Sequence, residues 1–370
     1  METVVAINPY KKESLNFEEI GHVKFGEESV IIGKVNLSKP SFDRNDKKNL
    51  DYVLLKVKAF SCNYRDKAIL AQAYSQCKDS DRLFFPFGSE FSAEVVDIGV
   101  EVNEFEIGDI VMSDCSYPDS GKKGVKAGVA TNYASIGWLR IHKNKIMKAP
   151  ENLSNEEIAC FSLGSQTAAS MIRRSGILSN GGTPIVFSAR SATSLFIIRQ
   201  LVSHGITPIC LTTSQWSDKE KAEIYPAKVE LLSTFSEKFI SHNYIITHVF
   251  DPFYDMNIDF ATYCLSMGGT YITCGLRDQH PLLSKSTPQQ VEPLVRGAVE
   301  MSIVKNLTLI GNCLGNKEDL LDAIALNNDV LTRPIIDTVY KTNEGTEFLN
   351  HSFFEFNKFG KSVLAYSNAK

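Results

Sequence analysis

Several features that would place a chain quickly are missing from this one. No CxxC pair occurs among its eight cysteines (Cys62, Cys77, Cys115, Cys160, Cys210, Cys264, Cys274 and Cys313), and no two stand at zinc-ligand spacing. That argues against a zinc ribbon and against a disulfide scaffold, so free thiols filling core positions in a reducing compartment are expected. No apolar run approaches membrane-spanning length, and the opening METVVAINPYKKES lacks an apolar signal core. The expectation is a cytoplasmic protein with no membrane partner. Basic residues number 39 against 43 acidic ones, a net charge of −4. The lack of a basic excess to neutralise phosphates argues against a general nucleic-acid binder. There is no internal repeat and no low-complexity segment.

What is present suits a soluble globular protein: 370 residues, 43% hydrophobic and 22% charged, enough for about two domains. The organising stretch is Thr183–Gly205, TPIVFSARSATSLFIIRQLVSHG. Ile185, Val186 and Phe187 form a short buried-strand run. From Leu195 the apolar residues recur at three and four (Leu195, Ile198, Leu201, Val202), which predicts a helix stopped by Gly205. Ile206–Leu211 gives the next strand. Strand, turn, helix and strand of this length make a βαβ unit, the core of a dinucleotide-binding fold. The turn is unusual in a second absence. Where such sites place glycines three apart, this chain has Ser188, Ser191 and Ser194. A serine held in a left-handed conformation costs roughly 1 kcal/mol or more, although its hydroxyl can donate to a phosphate oxygen.

The first part of the chain reads as mostly β, with frequent Gly, Pro and Asp turns, as in a compact barrel. Val4–Ile7, Val30–Val35, Tyr52–Phe60, Phe91–Val102 and Glu106–Val111 carry strand or turn-into-strand patterns. Ser61–Leu70 turns into a short helix, and Tyr74–Phe84 reads as a polar loop. The pattern changes at Pro150. Ser154–Ser175 is helical, opened by a capping-box pair, Ser154 and Glu157. Strands and helices then alternate to about Cys313, which predicts a parallel sheet. GGTYITCG (Gly268–Gly275), LTLIG (Leu307–Gly311) and the tail FGKSVLAY (Phe359–Tyr366) are further strands.

Taken together these pieces resemble the medium-chain dehydrogenase/reductase superfamily, in its zinc-free quinone and enoyl reductase branch. AFSCNYRD (Ala59–Asp66) is similar to that branch's asparagine-bearing motif. FGSEFSAEVVDIGVEVNEFEIGDIV (Phe87–Val111) resembles the glycine–x–glutamate turn and the strand pair after it. KAPENLSNEEIACFSLGSQTA (Lys148–Ala168) resembles the first helix of the cofactor domain, and GGTYITCG, LTLIG and GKSVL follow in the family's order. The resemblance implies an α/β protein of two domains. One is a GroES-like β-rich catalytic domain from residues 1–152 and 313–370. The other is a Rossmann domain with a doubly wound parallel sheet, residues 153–312, and the active site would lie in the cleft between them.

Zinc-using members ligate the metal at the positions of Asn63 and Ser89. Amide and hydroxyl oxygens replace thiolate and imidazole poorly on Zn²⁺, so no metal is expected. The chemistry left is conjugate hydride addition from NADPH to an activated C=C bond. The substrate class spans enones, quinones, enoyl thioesters and, by analogy with superfamily reductases of lantibiotic biosynthesis, dehydroalanine within a peptide. Asn63 is expected to donate to the developing oxyanion or to fix the nicotinamide ribose. Tyr74 resembles the proton-donating tyrosine of mitochondrial-type enoyl thioester reductases; the other reading is a loop tyrosine without a role. Arg65 is a candidate for an anionic substrate group or for an ion pair with Asp66, and Glu90 for a carboxylate near the cofactor or a structural turn.

For the cofactor, the expected contacts are Ser188, Arg190, Ser191, Ala192, Thr193 and Ser194 in the turn and first helical residues. At the end of the second strand they are Thr212, Thr213, Ser214 and Lys219. By the resemblance, Thr167 and Gly275 are added. An NAD site wants an acidic residue at the end of the second strand; the small hydroxyls and cations here suit a 2′-phosphate, hence NADP(H). Three readings of the turn stay open: a working site, a site completed by substrate, and a non-catalytic protein that binds a protein or peptide. A homodimer through the edge strands Thr270–Cys274 and Leu307–Gly311 is a further expectation.

Overall fold

In the computed structural model, residues 1–241, 244–276, 288–327 and 332–367 are described. They fall into two compact units, one of Met1–Leu163 together with the chain from Ile336 onward, the other running from Gly164 to Ile335. Among the described residues no helix is long and apolar enough to cross a membrane.

The first unit is β-rich. Its strands are β1 (Glu2–Ile7), β2 (Glu18–Phe25), β3 (Glu28–Asn36), β4 (Tyr52–Ser61), β5 (Phe84–Phe85), β6 (Glu90–Ile98), β7 (Ile110–Ser113), β8 (Trp138–His142) and β9 (Ile146–Lys148), with helices α1 (Tyr64–Ser75) and α2 (Asn155–Ile158). The returning chain adds β16 (Ile336–Tyr340), α11 (Gly345–Phe354) and β17 (Lys361–Ala365). One sheet runs β2-β3-β1-β5 and the other β16-β17-β4-β6-β7-β9, with β8 also on β4. β4 sits between β17 and β6. Val53, Leu55 and Val57 alternate into the core of this unit; a register shift between Val57 and Ala59 then exchanges the faces, so Phe60 joins that core while Ala59 packs against Ala159, Cys160 and Val363. Six of the eight cysteines are buried, as core filling requires.

The second unit holds α3 (Ser162–Ser175) from Gly164 onward, α4 (Ile177–Asn180), β10 (Pro184–Val186), α5 (Ala192–Ser203), β11 (Ile209–Thr212), α6 (Asp218–Ala222), β12 (Lys228–Leu231), α7 (Leu232–Ser241), β13 (Ile246–Asp251), α8 (Tyr254–Cys264), β14 (Leu265–Thr273), α9 (Pro288–Lys305), β15 (Thr308–Gly311) and α10 (Lys317–Leu326). Its parallel sheet is ordered β12-β11-β10-β13-β14-β15. Numbered within the sheet this is 3-2-1-4-5-6, the doubly wound dinucleotide order. Ile185, Phe187, Ile209, Leu211, Val249 and Tyr271 supply its core.

The fold class is therefore as expected, with local differences. The helix read through Ser154–Ser175 is broken between Ile158 and Ser162 into α2 and α3. The segment after Cys313, expected to rejoin the first unit at once, stays in the second as far as Ile335. There α10 is tied back to α3, Arg173 clasping the buried Asp319 carboxylate at 2.7 and 2.9 Å.

Candidate functional site

In the first unit, strand register gathers a polar cluster. Ser61, the last residue of β4, lies opposite Glu90 on β6 and opposite Val363 on β17. Lys361, two residues before Val363, therefore reaches the same face. The turn before β6 is shaped by Gly88, which has φ +91°. A Cβ at this position would stand 2.8 Å from the Phe60 ring, so neither the backbone angle nor the space suits a side chain. Glu90 is fully buried. One carboxylate oxygen accepts the Leu163 N–H at 2.8 Å, and the other takes Ser61 Oγ at 3.1 Å, Lys361 Nζ at 3.2 Å and Asn63 Nδ2 at 3.4 Å. Lys361 also donates to the Cys62 carbonyl at 3.3 Å and to Asn63 Oδ1.

Asn63 is half-buried at the head of α1. Its amide oxygen is held by Lys361, and one amide N–H faces Glu90, so the second N–H is the one available to a ligand. Beside it, Asp66 accepts the Asn63 backbone N–H and the Ser89 hydroxyl, both at 2.7 Å. Burial pushes the Asp66 carboxyl up, against the Arg65 charge that lowers it. Arg65 lies 3.5 Å from Asp66 and donates to Asn132 Oδ1 at 2.8 Å. Its ion-pair reading is thus realised geometrically.

Tyr74 is placed differently from the expectation. The stretch read as a polar loop from Tyr74 begins inside α1, and the helix turns the ring into the barrel core with Leu70 and Ala71. Its hydroxyl donates to the Ser29 carbonyl at 2.9 Å, and burial pushes the phenol up to about 12. A phenol so committed is a poor proton donor to a ligand.

In the second unit, the β10–α5 turn keeps its left-handed step although glycine is gone: Ser188 has φ +48°. Ser191 caps α5, accepting the Ser194 N–H at 3.1 Å, and its hydroxyl donates to Ser194 Oγ at 2.9 Å. Ser194 is buried and donates to the Phe187 carbonyl at 2.8 Å. Two of the three serine hydroxyls therefore serve the turn itself rather than an outside anion, a correction to the expectation for Ser191 and Ser194. Ser188 and Thr193 hydroxyls have no partner among the described residues. The first-turn amides of Ala192 and Thr193 have no acceptor within the helix. This turn lies at the carboxyl end of β10, where the strand order reverses between β10 and β13.

Of the remaining expected contacts, Thr212 is buried and accepts Trp216 Nε1 at 3.1 Å, Thr213 is exposed, and Ser214 is half-buried. Lys219 is exposed on α6. Arg190 is tied to Glu220 at 2.7 Å rather than free. Thr167 is buried on α3. Gly275 passes so close to the Pro252 carbonyl that a Cβ would meet it at 2.8 Å.

Residues 49–151 match the family described as Alcohol dehydrogenase GroES-like domain. Across the chain, the solved structure of an NAD-dependent alcohol dehydrogenase superposes with a TM-score of 0.74 at 16% identity, covering 99% of this chain and 100% of that one. A quinone oxidoreductase from Coxiella burnetii gives 0.67 at 17%, covering 99% of each chain. The 2-octenoyl-CoA carboxylase reductase CinF, solved with NADP and 2-octenoyl-CoA, gives 0.70 at 16%, covering 100% of this chain and 88% of that one. The chain has the medium-chain dehydrogenase/reductase fold. The resemblance read from the sequence is borne out at that level. A comparison with curated protein sequences finds no match.

Within this fold, Lys361 is the member of the cluster that no motif in the sequence announces. It stands inside the quoted GKSVL, and a lysine within a buried strand run was the available signal. Glu90→Gln should leave the Lys361 charge uncompensated and lower unfolding free energy in urea by about 3 kcal/mol, and Glu90→Gln with Lys361→Met should recover much of that. Tyr74→Phe should cost about 1 kcal/mol of stability through the lost Ser29 hydrogen bond. Its turnover rate in steady-state assays should equal that of the parent; a large fall would restore Tyr74 as a proton donor.

Proposed function

We propose that the protein is a zinc-independent, NADPH-dependent reductase of an activated C=C bond. The observation that carries this reading is the β10–α5 turn, which keeps a left-handed step at Ser188 and two first-turn amides at the strand-order reversal. That is where a parallel sheet of this order receives a pyrophosphate. Ser188, Ala192 and Thr193 would hold the diphosphate, and Thr213, Ser214, Lys219 and Arg190 the adenosine end. Bound NADPH would supply the hydride. The absence of an acidic residue at the end of β11 favours the 2′-phosphorylated dinucleotide, and a fold neighbour solved with NADP is in keeping with it.

The donor set supports metal independence. Ser89 gives its hydroxyl to Asp66, and the Asn63 amide oxygen already receives a cation, Lys361. A Zn²⁺ ion there would meet an ammonium group and no thiolate or imidazole. Among the described residues no three His, Cys, Asp or Glu side chains converge to hold a metal. The remaining Asn63 N–H, polarised by Lys361 on its carbonyl, is suited to stabilise negative charge on an enolate oxygen. With Tyr74 committed to Ser29, we assign the α-carbon proton to solvent water. Enones, quinones, enoyl thioesters and dehydroalanine peptides all present such an oxygen.

Titration with NADPH, followed by nicotinamide fluorescence, should give a saturable signal, and one of these substrate classes should oxidise the bound cofactor. No saturable signal, with or without substrates, would favour the alternative, a non-catalytic protein that binds a protein or peptide.

We also infer self-association through β15, an edge strand of the parallel sheet among the described residues; the expected partner edge Thr270–Cys274 is corrected, because β14 lies inside the sheet between β13 and β15. Leu309 on it is 40% exposed, with Ile303 at 72% and Val304 at 68% on the preceding helix. Such an edge invites pairing with a second copy. Sedimentation should report a dimer, and Ile303→Glu with Leu309→Lys a monomer.

A further inference from the structure

Arg190 is the third residue after Phe187 in the nucleotide turn, yet its side chain crosses to the neighbouring strand end. One guanidinium nitrogen lies 2.7 Å from Glu220 Oε1; the other donates to Glu220 Oε2 at 3.1 Å and to the Gln215 carbonyl at 2.9 Å. The guanidinium also stands 5.4 Å from the centre of the Trp216 ring. Gln215 and Trp216 follow β11, and the end of this second strand is where a dinucleotide's adenosine ribose is received. The cation is thus at the ribose position, already paired in the bidentate way that guanidinium favours.

Glu220 is equally committed. It accepts the Ser217 N–H at 2.7 Å and the Ser217 hydroxyl at 2.9 Å, closing the capping box of α6. Although burial opposes it, the Ser217 N–H and Arg190 hold this carboxyl below its ordinary range. Its Oε2 accepts from Arg190 and twice from Ser217 and its Oε1 meets Arg190, so a ribose hydroxyl would compete with contacts already made. The other charges on this element, Asp218, Lys219, Lys221 and Glu223, lie toward solvent or pair elsewhere: Lys221 with Asp218 at 3.5 Å, and Glu223 with Arg199 at 3.7 Å.

We propose that Glu220 is a specificity-determining residue which occupies the 2′-phosphate receptor, Arg190, and so narrows the preference for NADP(H) over NAD(H). A 2′-phosphate must take Arg190 from Glu220 and then lie beside the displaced carboxylate. A dinucleotide without it leaves the pair intact. This rests on the reading of the second unit as a dinucleotide site. It extends that reading by naming the residue that opposes the phosphate.

The probes are 2′,5′-ADP and 5′-AMP, which differ only in the 2′-phosphate, with NADPH as the full ligand. Binding is measured calorimetrically on the full chain, with thermal unfolding as a check on folding. Glu220→Gln keeps an acceptor for Ser217 and removes the charge. It should tighten 2′,5′-ADP about tenfold or more, the size of one charge-assisted contact released, while 5′-AMP moves less than about twofold. Arg190→Met added to Glu220→Gln should abolish the gain. Arg190→Met alone leaves the Glu220 carboxylate unpaired and should weaken 2′,5′-ADP relative to 5′-AMP, and it serves as the independent check if Glu220→Gln loosens α6. Equal changes for both probes, or none, would overturn the role of Glu220 while NADPH binding stands. If neither probe nor NADPH binds the parent or any variant, the dinucleotide reading falls, and this inference with it.

Discussion

A buried carboxylate, Glu90, is the point on which the first unit's polar cluster depends. Taking it out of water is costly unless each oxygen finds donors. The donors it finds are a backbone N–H at the head of α3, a serine on β4, an amide on the turn after β4, and an ammonium on β17. Three separate stretches, residues 61–63, Leu163 and Lys361, are tied to β6 by one group. The arrangement does not need a high intrinsic stability, because a buried ion pair seldom exceeds well-packed apolar residues of the same volume. What it supplies is position. Asn63 is pinned at both ends of its amide, and a pinned dipole costs no reorganisation when charge develops beside it.

The second unit solves a different problem with similarly few atoms. A turn of this kind without glycine must hold its left-handed step at a residue that carries a Cβ. Ser188 takes the left-handed angle, and Ser191 and Ser194 close a short chain of hydrogen bonds back to the Phe187 carbonyl. Hydroxyls expected to face a phosphate thus stabilise the loop that presents the backbone amides. The Ser191 and Ser194 hydroxyls are scaffold, and the first-turn amides of Ala192 and Thr193 are the groups left without an acceptor inside α5.

How much of this could be read in advance follows from the range of the interactions. The βαβ unit, the Gly88–Ser89–Glu90 turn and the Asn63 motif are local patterns, and local patterns were legible. Tyr74 was misplaced although Leu70, Ala71 and Tyr74 stand at helical spacing; the polar residues after Ser75 masked the last turn of α1. Lys361 lies 271 residues from Glu90, and no local pattern announces their contact. Arg190 and Glu220 are separated by 30 residues and a whole βα segment. Their pairing needs β10 and β11 in parallel register before it can be seen. Composition showed the charges, and only topology shows which of them are already committed to each other.

Strain bears on whether the strand ends of the second unit meet a ligand. Three residues other than glycine hold positive φ among the described residues: Ser188, Asn306 and Leu314, at 48°, 52° and 55°. Asparagine tolerates that region readily, whereas for serine and leucine it costs roughly 1–2 kcal/mol. Ser188 follows β10 and Leu314 follows β15, so both strained residues lie beyond carboxyl ends of the same parallel sheet. A crossover turn that met no ligand would have no use for strain at that edge, since an ordinary turn would support the sheet equally well. Strain held beyond the ligand-receiving ends of the strands, and not scattered over the loops, fits a backbone shaped to approach something. That distribution places the strained backbone of the second unit at the ends where a parallel sheet of this order receives a ligand.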